Sequence, residues 1–78
     1  MPRDRKSRDI PVAPLDRLIR KVGVERVSEG ASFALGEILE SIGKDIAERS
    51  KEIAAHTGRK TITEKDIRLA YSLWRKWI

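Results

Sequence analysis

The first predicted helix covers about residues 14–22, where four apolar residues fall at positions i, i+3, i+4 and i+7. These residues are Leu15, Leu18, Ile19 and Val22. This spacing is typical of an amphipathic helix of about three turns. Pro14 suits the first turn of this helix, and Gly23 suits the position just past its end.

The middle predicted helix, about residues 29–57, contains no proline and keeps an apolar stripe along one face. The stripe consists of Leu35, Ile38, Leu39, Ile42, Ile46, Ile53 and Ala54. Ser28 suits the N-cap because its hydroxyl can accept a backbone N–H of the first turn. Gly58 ends the helix.

The last predicted helix covers about residues 63–76. Thr63 and Asp66 have the spacing of a capping box that uses the shorter acid. Its apolar face continues through Ile67, Ala70, Tyr71 and Trp74. The pattern therefore predicts an all-α fold, built from a short helix, a long helix and a short helix.

The length of the middle helix predicts a dimer. About 28 residues form a rod of roughly 40 Å, whereas a compact 78-residue globule is roughly 30 Å across. Two short helices cannot cover such a rod, so a second copy would have to bury its stripe. Gly43 lies at the midpoint and would allow two crossing helices to approach closely, although a tolerated flexible position is the alternative. The predicted dimer core is Leu35, Ile38, Leu39, Ile42, Gly43 and Ile46.

Composition narrows the class of protein. The chain has 78 residues, no cysteine and a net charge of +5, so thiolate metal sites and disulfides are excluded and polyanions are favoured as partners. No metal cluster, cofactor motif or catalytic group is evident, so we expect no enzyme activity. No apolar run is long enough to span a bilayer, and the basic N-terminus does not resemble a secretory signal. We therefore expect a cytoplasmic protein. Binding to a membrane surface is also disfavoured, because the apolar stripe is better explained as a dimer contact and the cations lie at helix ends rather than along one polar face.

The placement of the cations indicates a phosphate-binding surface. Residues 10–74 carry a charge of only +1, but their cations cluster near helix ends and connections, while residues 37–52 hold five acids and three bases. Cations, hydroxyls and the N–H groups of helix starts are the groups that bind phosphate. The residues predicted to form this polyanion-binding surface are Arg17, Arg20, Lys21, Arg26, Arg59, Lys60, Thr61 and Lys65.

Two segments and the long helix between them resemble an archaeal histone. The segments are PVAPLDRLIRKVGVERVS and HTGRKTITEKDIRLA, and the resemblance covers about residues 10–74 without gaps. It implies a histone fold and an intertwined handshake homodimer that wraps double-stranded DNA with little sequence preference. It implies no cofactor, association with the nucleoid, and pairing with itself or with other histone paralogues.

The resemblance also implies roles for single residues. Arg26 resembles the arginine that enters the minor groove, Lys60 and Thr61 resemble phosphate contacts, and Arg17 resembles a backbone contact of the first helix. Arg59 and Asp66 resemble an ion pair that joins the connection to the last helix. Direct phosphate contact is the equally weighted alternative for Arg59.

A further implied site joins one dimer to the next. The residues that match it are Ile53, His56, Asp66 and Leu69. In this interface His56 would meet Asp66 of the neighbouring dimer, so the protein would extend into tetramers and longer assemblies on DNA.

Two features depart from the family pattern. Residues 1–9 form a basic tail ahead of the predicted histone domain, residues 10–78, and the tail either contacts DNA or only solubilises the chain. Trp77 and Ile78 extend beyond the family pattern, and we expect them either to cover the edge of the core or to make a subunit contact. A competing function is a histone-fold interaction subunit of a transcription or chromatin complex that contacts DNA little. The intact sequences ERVS and GRKT argue against it.

Overall fold

The computed structural model describes residues 9–76, in which three α-helices follow one another and no strand occurs. Helix α1 spans Val12–Arg20, α2 spans Glu29–His56 and α3 spans Glu64–Arg75. The predicted all-α fold with a short, a long and a short helix is confirmed. Residues 1–8 of the predicted tail, together with Trp77 and Ile78, lie outside the described residues.

Helix α1 begins two residues earlier than the predicted 14–22. Its N-cap is Pro11, in an extended conformation, so Pro14 occupies the third helical position. Proline is tolerated there because the N–H groups of the first turn have no acceptor within the helix. After Arg20 the chain turns, and Gly23 adopts a φ of 94°, which favours glycine.

Helix α2 is bounded by local hydrogen bonds at both ends. At its start, the Ala31 N–H donates to the Ser28 hydroxyl at 3.0 Å, so Ser28 is the N-terminal cap that the sequence predicts. At its end, the Arg59 N–H donates to the Ala54 carbonyl at 2.9 Å, and Gly58 has a φ of 71°. This left-handed glycine turns the chain out of the helix.

Helix α3 starts with the predicted capping box. The Thr63 N–H donates to Asp66 Oδ2 at 2.8 Å, and the Asp66 N–H donates to the Thr63 hydroxyl at 3.4 Å. Two donors that a helix start would otherwise leave unpaired are satisfied by this reciprocal arrangement. The start of α3 is therefore fixed by the same carboxylate that the sequence assigns to an ion pair.

The chain divides into two compact units between Ser41 and Ile42, within α2. In the first unit, Leu15 is buried and the carboxylate of Glu40 accepts the backbone N–H groups of Asp9 and Ile10. This contact ties the segment before α1 to α2. The sequence pattern did not predict it, because it joins residues about thirty positions apart without a repeating spacing.

In the second unit, Ala54 of α2 and Ala70 of α3 are buried. The Ser50 hydroxyl is fully buried and donates to the Ile46 carbonyl at 2.8 Å, with a longer contact of 3.4 Å to the Asp66 carbonyl. Small residues allow α2 and α3 to pack closely here. The buried hydroxyl is paired, as buried polar groups require.

A single chain leaves much of its apolar surface uncovered. Among residues 9–76, the buried apolar side chains are Leu15, Ala54 and Ala70, whereas nine large apolar residues are exposed. Ile38 of α2 is 56% exposed. No helix within residues 9–76 has the length and apolar character needed to cross a bilayer.

Candidate nucleic-acid interface

Two connections between helices hold the residues with the chemistry of phosphate binding. The α1–α2 connection, residues 21–28, carries Arg26, and the α2–α3 connection, residues 57–63, carries Lys60 and Thr61. These three side chains are exposed. Each connection leads directly into the N-terminus of a capped helix, where backbone N–H groups and the helix dipole favour an anion.

The α2–α3 connection is held in shape by Arg59. Its guanidinium makes two hydrogen bonds to Asp66, from Nη2 to Oδ1 at 2.9 Å and from Nη1 to Oδ2 at 3.0 Å. It also donates from Nη1 to the Thr61 carbonyl at 3.1 Å and from Nε to the Thr57 hydroxyl at 2.9 Å. The Thr57 hydroxyl in turn donates to the Ala54 carbonyl at 3.0 Å. One side chain therefore joins the end of α2, the connection and the start of α3.

These bonds include the ion pair that the family resemblance implies for Arg59. A guanidinium has five N–H donors, and four are used inside the chain. One Nη2 donor is left for any phosphate. Arg59 therefore links the two ends of the connection that carries Lys60 and Thr61. Its direct contact with a phosphate stays a prediction.

The same contacts shift two pKa values in opposite directions. Hydrogen bonds from Arg59 and then from the Thr63 backbone hold the pKa of Asp66 well below its ordinary value of 3.8. The hydrogen bond to Asp66 raises the pKa of Arg59 above its ordinary value. The side chain of Asp66 is only 4% exposed, so its charge is retained in a nearly buried position by bidentate pairing and a backbone donor.

The remaining predicted DNA-binding residues differ in their position and in whether their charge is paired within the chain. Arg17 is exposed on α1, and Lys21 caps the C-terminus of α1. Arg20 forms an ion pair with Asp16, one helical turn earlier, at 2.9 Å. Lys65 lies on α3 rather than in the connection, and it is exposed. The Asp16–Arg20 pair has the i, i+4 spacing of a helix ion pair, a signal that was present in the sequence.

The predicted dimer core lies along α2 and is only partly covered in the single chain. Leu35, Leu39, Ile42 and Ile46 are half-buried. Ile38 is exposed, and a Cβ placed on Gly43 would meet no atom within 4 Å. No contact within the described part of the chain therefore accounts for a glycine at the midpoint of α2.

The predicted contacts between dimers lie at the end of α2 and on α3. Ile53 is half-buried, His56 is exposed as the last residue of α2, and Leu69 is 48% exposed. Asp66 is different because its two oxygens already accept three hydrogen bonds within the chain. A carboxylate has about four acceptor positions, so one remains, on Oδ1.

Comparison with known proteins identifies the family. The family model for the histone-like transcription factor (CBF/NF-Y) and archaeal histone matches residues 8–71. The chain belongs to this family. Its three helices therefore form a histone fold, and it is a structural DNA-binding protein rather than an enzyme.

Two archaeal histones are similar to this family member over most of their length. An archaeal histone HAN1 subunit from Thermococcus zilligii is 52% identical over 62 residues. Probable archaeal histone 3 from Methanocaldococcus jannaschii is 42% identical over 62 residues. Each alignment covers 80% of this chain and 92% of the relative. The predicted resemblance to archaeal histones is confirmed.

The first testable prediction concerns the Arg59–Asp66 pair. Because the pKa of Asp66 is lowered by folding, its contribution to stability is fully present above the unfolded value of 3.8 and is lost as the pH falls below it. We expect Asp66→Asn to lower the melting temperature at pH 7. Below about pH 5, the melting temperature of the variant should fall less with decreasing pH than that of the unsubstituted protein. Thermal unfolding, followed by circular dichroism at a series of pH values from about pH 2 to about pH 8, would measure both effects.

Asp45→Asn provides the matched control for this experiment. Asp45 pairs with Arg49 at 3.4 Å, and both side chains are 44% exposed, so this pair contributes little to stability. Its melting curve should follow that of the unsubstituted protein at each pH. An Asp66→Asn variant that also did so would contradict the role assigned to the pair.

Proposed function

We propose that this histone-fold protein forms a handshake homodimer that binds, bends and wraps double-stranded DNA with little sequence preference. The observation on which the proposal rests is the arrangement of Arg26, Lys60 and Thr61. They are exposed in the two helix connections and stand directly before capped helix starts. Family membership supports the choice of DNA as the anion, and the similarity to two archaeal histones agrees with it.

Dimer formation follows from the apolar stripe of α2. A 28-residue helix with an exposed Ile38 near its middle needs a covering surface that residues 9–76 do not supply. Gly43 supports a second α2 as that surface. A glycine inside a helix costs roughly 1 kcal/mol relative to alanine, and the open space around it in the single chain leaves room for a crossing helix.

In the proposed dimer, the α1–α2 connection of one chain lies beside the α2–α3 connection of its partner. Each pair of connections then presents Arg26 together with Lys60 and Thr61. The exposed cations of α1, above all Arg17, extend this surface. Two such paired connections per dimer would contact DNA at separate points, so the duplex must bend to reach both.

The mode of binding is electrostatic and depends on DNA shape. Lysine and backbone N–H groups contact phosphates, which fixes position without reading sequence. An arginine in an inward-facing minor groove is favoured wherever the groove is narrow and negative. The protein therefore binds deformable DNA sequences with a modest preference. Histone octamers likewise rely on backbone contacts and DNA bending rather than on base-specific contacts.

We also propose that dimers join through the ends of α2 and α3. His56 and Leu69 are exposed at this surface, and Ile53 is half-buried beside it on α2. The acceptor position that remains on Asp66 Oδ1 suits a His56 N–H from the neighbouring dimer. Successive dimers would then form a continuous track for DNA.

The second testable prediction addresses the DNA surface. Arg26→Ala combined with Lys60→Ala removes two cations per chain, and hence four per dimer. The slope of log affinity against log salt is negative, and each phosphate that is no longer neutralised should reduce its magnitude by about 0.9. We expect weaker binding to all duplex sequences alike, together with a slope smaller by about 3.6. Fluorescence anisotropy of labelled duplexes over a series of salt concentrations would measure both quantities.

Lys44→Ala combined with Lys51→Ala is the matched control, because both lysines are exposed on α2 and the change in charge is identical. This variant should bind duplex DNA nearly as well as the unsubstituted protein. Equal losses in the two double variants would show that net charge, and not the helix connections, determines binding.

The third testable prediction addresses assembly on DNA. Leu69→Arg places a charge at the proposed contact between dimers, and we expect it to block assembly beyond the dimer without preventing DNA binding. Nuclease digestion of the complexes should give a ladder of protected lengths for the unsubstituted protein and only the shortest band for the variant. Ser41→Arg, at an exposed position of α2, adds the same charge and should retain the ladder. A full ladder from Leu69→Arg would refute this interface.

A further inference from the structure

One face of α3 carries a group of cations, of which only Lys65 belongs to the DNA-binding residues named above. The side of α3 that packs in its own unit contains Asp66 and Ala70, which are buried. Successive residues of a helix are rotated by about 100°, which turns several exposed residues away from that side. Five of them fall within one arc of roughly 100° on the surface of the helix. We call them the α3 outer face: Lys65, Arg68, Ser72, Arg75 and Lys76.

The α3 outer face has little compensating negative charge. Glu64 is the acid beside it and pairs with Arg68 at 2.8 Å, but both side chains are about three-quarters exposed. Such a pair is weak and is screened by salt. None of the ion pairs within residues 9–76 includes Lys65, Arg75 or Lys76. Four cations against one acid leave a charge of +3 on this face.

Aromatic residues hold one of these cations in place. The guanidinium of Arg75 lies over the ring of Tyr71 at 5.7 Å, and Tyr71 stacks on Trp74 with ring centroids 6.1 Å apart. A contact with the face of a ring leaves the N–H donors of an arginine available. Arg75, Lys76 and the hydroxyl-bearing Ser72 also line an open depression. These are groups that bind phosphate oxygens.

Helix stability does not explain this distribution. Cations near a helix C-terminus are favourable, which would account for Arg75 and Lys76. Lys65, however, lies in the first turn of α3, where the helix dipole disfavours a cation. Arg68 lies one turn later, and its i, i+4 pair with Glu64 stabilises a helix only weakly. The face therefore extends along the whole helix for a reason other than dipole compensation.

The face also extends away from the α2–α3 connection. From Lys65 to Lys76 the helix rises by about 16 Å, so Arg75 and Lys76 lie far along α3 from Lys60 and Thr61. A duplex presents one charge per about 1.7 Å of its axis, or roughly nine along that length. A continuous polyanion complements the face better than an isolated phosphate group would.

We propose that the α3 outer face binds the phosphate backbone of a second DNA duplex, so that the DNA-bound protein bridges two duplexes. The inference rests on the duplex binding proposed above and adds a site to it. The helix connections bind the first duplex, and the α3 outer face provides weaker, salt-sensitive and sequence-independent contacts to the second.

The experiment compares bridging with binding to a single duplex. An immobilised duplex captures a second, fluorescently labelled duplex in the presence of the full chain, while anisotropy measures affinity for one duplex alone. Arg75→Glu combined with Lys76→Glu should reduce capture by about tenfold and change single-duplex affinity by less than about threefold. The salt dependence of capture should weaken by about 0.9 for each phosphate that the variant no longer neutralises.

Lys44→Glu combined with Lys51→Glu changes the net charge equally on α2 and should leave capture intact. Because Arg75 also contacts Tyr71, Ser72→Glu provides a second variant that keeps both cations, with Ser41→Glu as its control. Circular dichroism would establish that all variants fold. Unchanged capture by both α3 variants would overturn the second site, as would an equal loss of single-duplex affinity, which would assign the face to the first duplex. Absence of any duplex binding by the unsubstituted protein would instead refute the proposed function.

Discussion

The apolar stripe of α2 is the constraint on which the rest of the structure depends. A helix of 28 residues is too long for two short helices to cover, and within residues 9–76 its apolar stripe is incompletely buried. Leu35, Leu39, Ile42 and Ile46 are half-buried, and Ile38 is 56% exposed. Covering this surface with a second copy satisfies the hydrophobic requirement. It would also place two sets of helix connections on one particle, as a curved DNA-binding surface requires.

The Arg59–Asp66 pair stabilises the fold and also holds the shape of the α2–α3 connection, which carries candidate DNA-binding residues. The pair connects the capping box of α3 with the carbonyl of Thr61. The connection that carries Lys60 and Thr61 is therefore held by a guanidinium and a carboxylate that have few unused hydrogen-bonding positions. Rigid placement matters because a flexible connection would lose conformational entropy on binding. The arrangement also uses four of the five N–H donors of Arg59 within the chain.

Much of the fold could be predicted from local chemistry. Ser28, Thr63 with Asp66, and the two glycines with positive φ are signals that act within a few residues, and the structure shows each of them in use. The start of α1 was missed by two residues because proline is compatible with several positions of a first turn. The contact of Glu40 with the segment before α1 depends on tertiary packing that no spacing rule encodes. Two of the four bonds of Arg59 form the ion pair with Asp66 that the family resemblance implies, and the other two reach residues two positions away. The candidate binding residues were predicted from the placement of the cations near helix ends and connections. The family resemblance then implied DNA as the partner and roles for single residues, because exposed cations alone do not distinguish a binding surface from a solvated one.

The central claim is that the chain folds as a dimer. The most direct test is the concentration dependence of unfolding in the absence of DNA. If folding and pairing are one event, a hundredfold increase in protein concentration should raise the apparent free energy of unfolding per dimer by about 2.7 kcal/mol, and the midpoint should rise with it. A midpoint that did not change with concentration, together with a folded monomer in sedimentation equilibrium, would contradict the account.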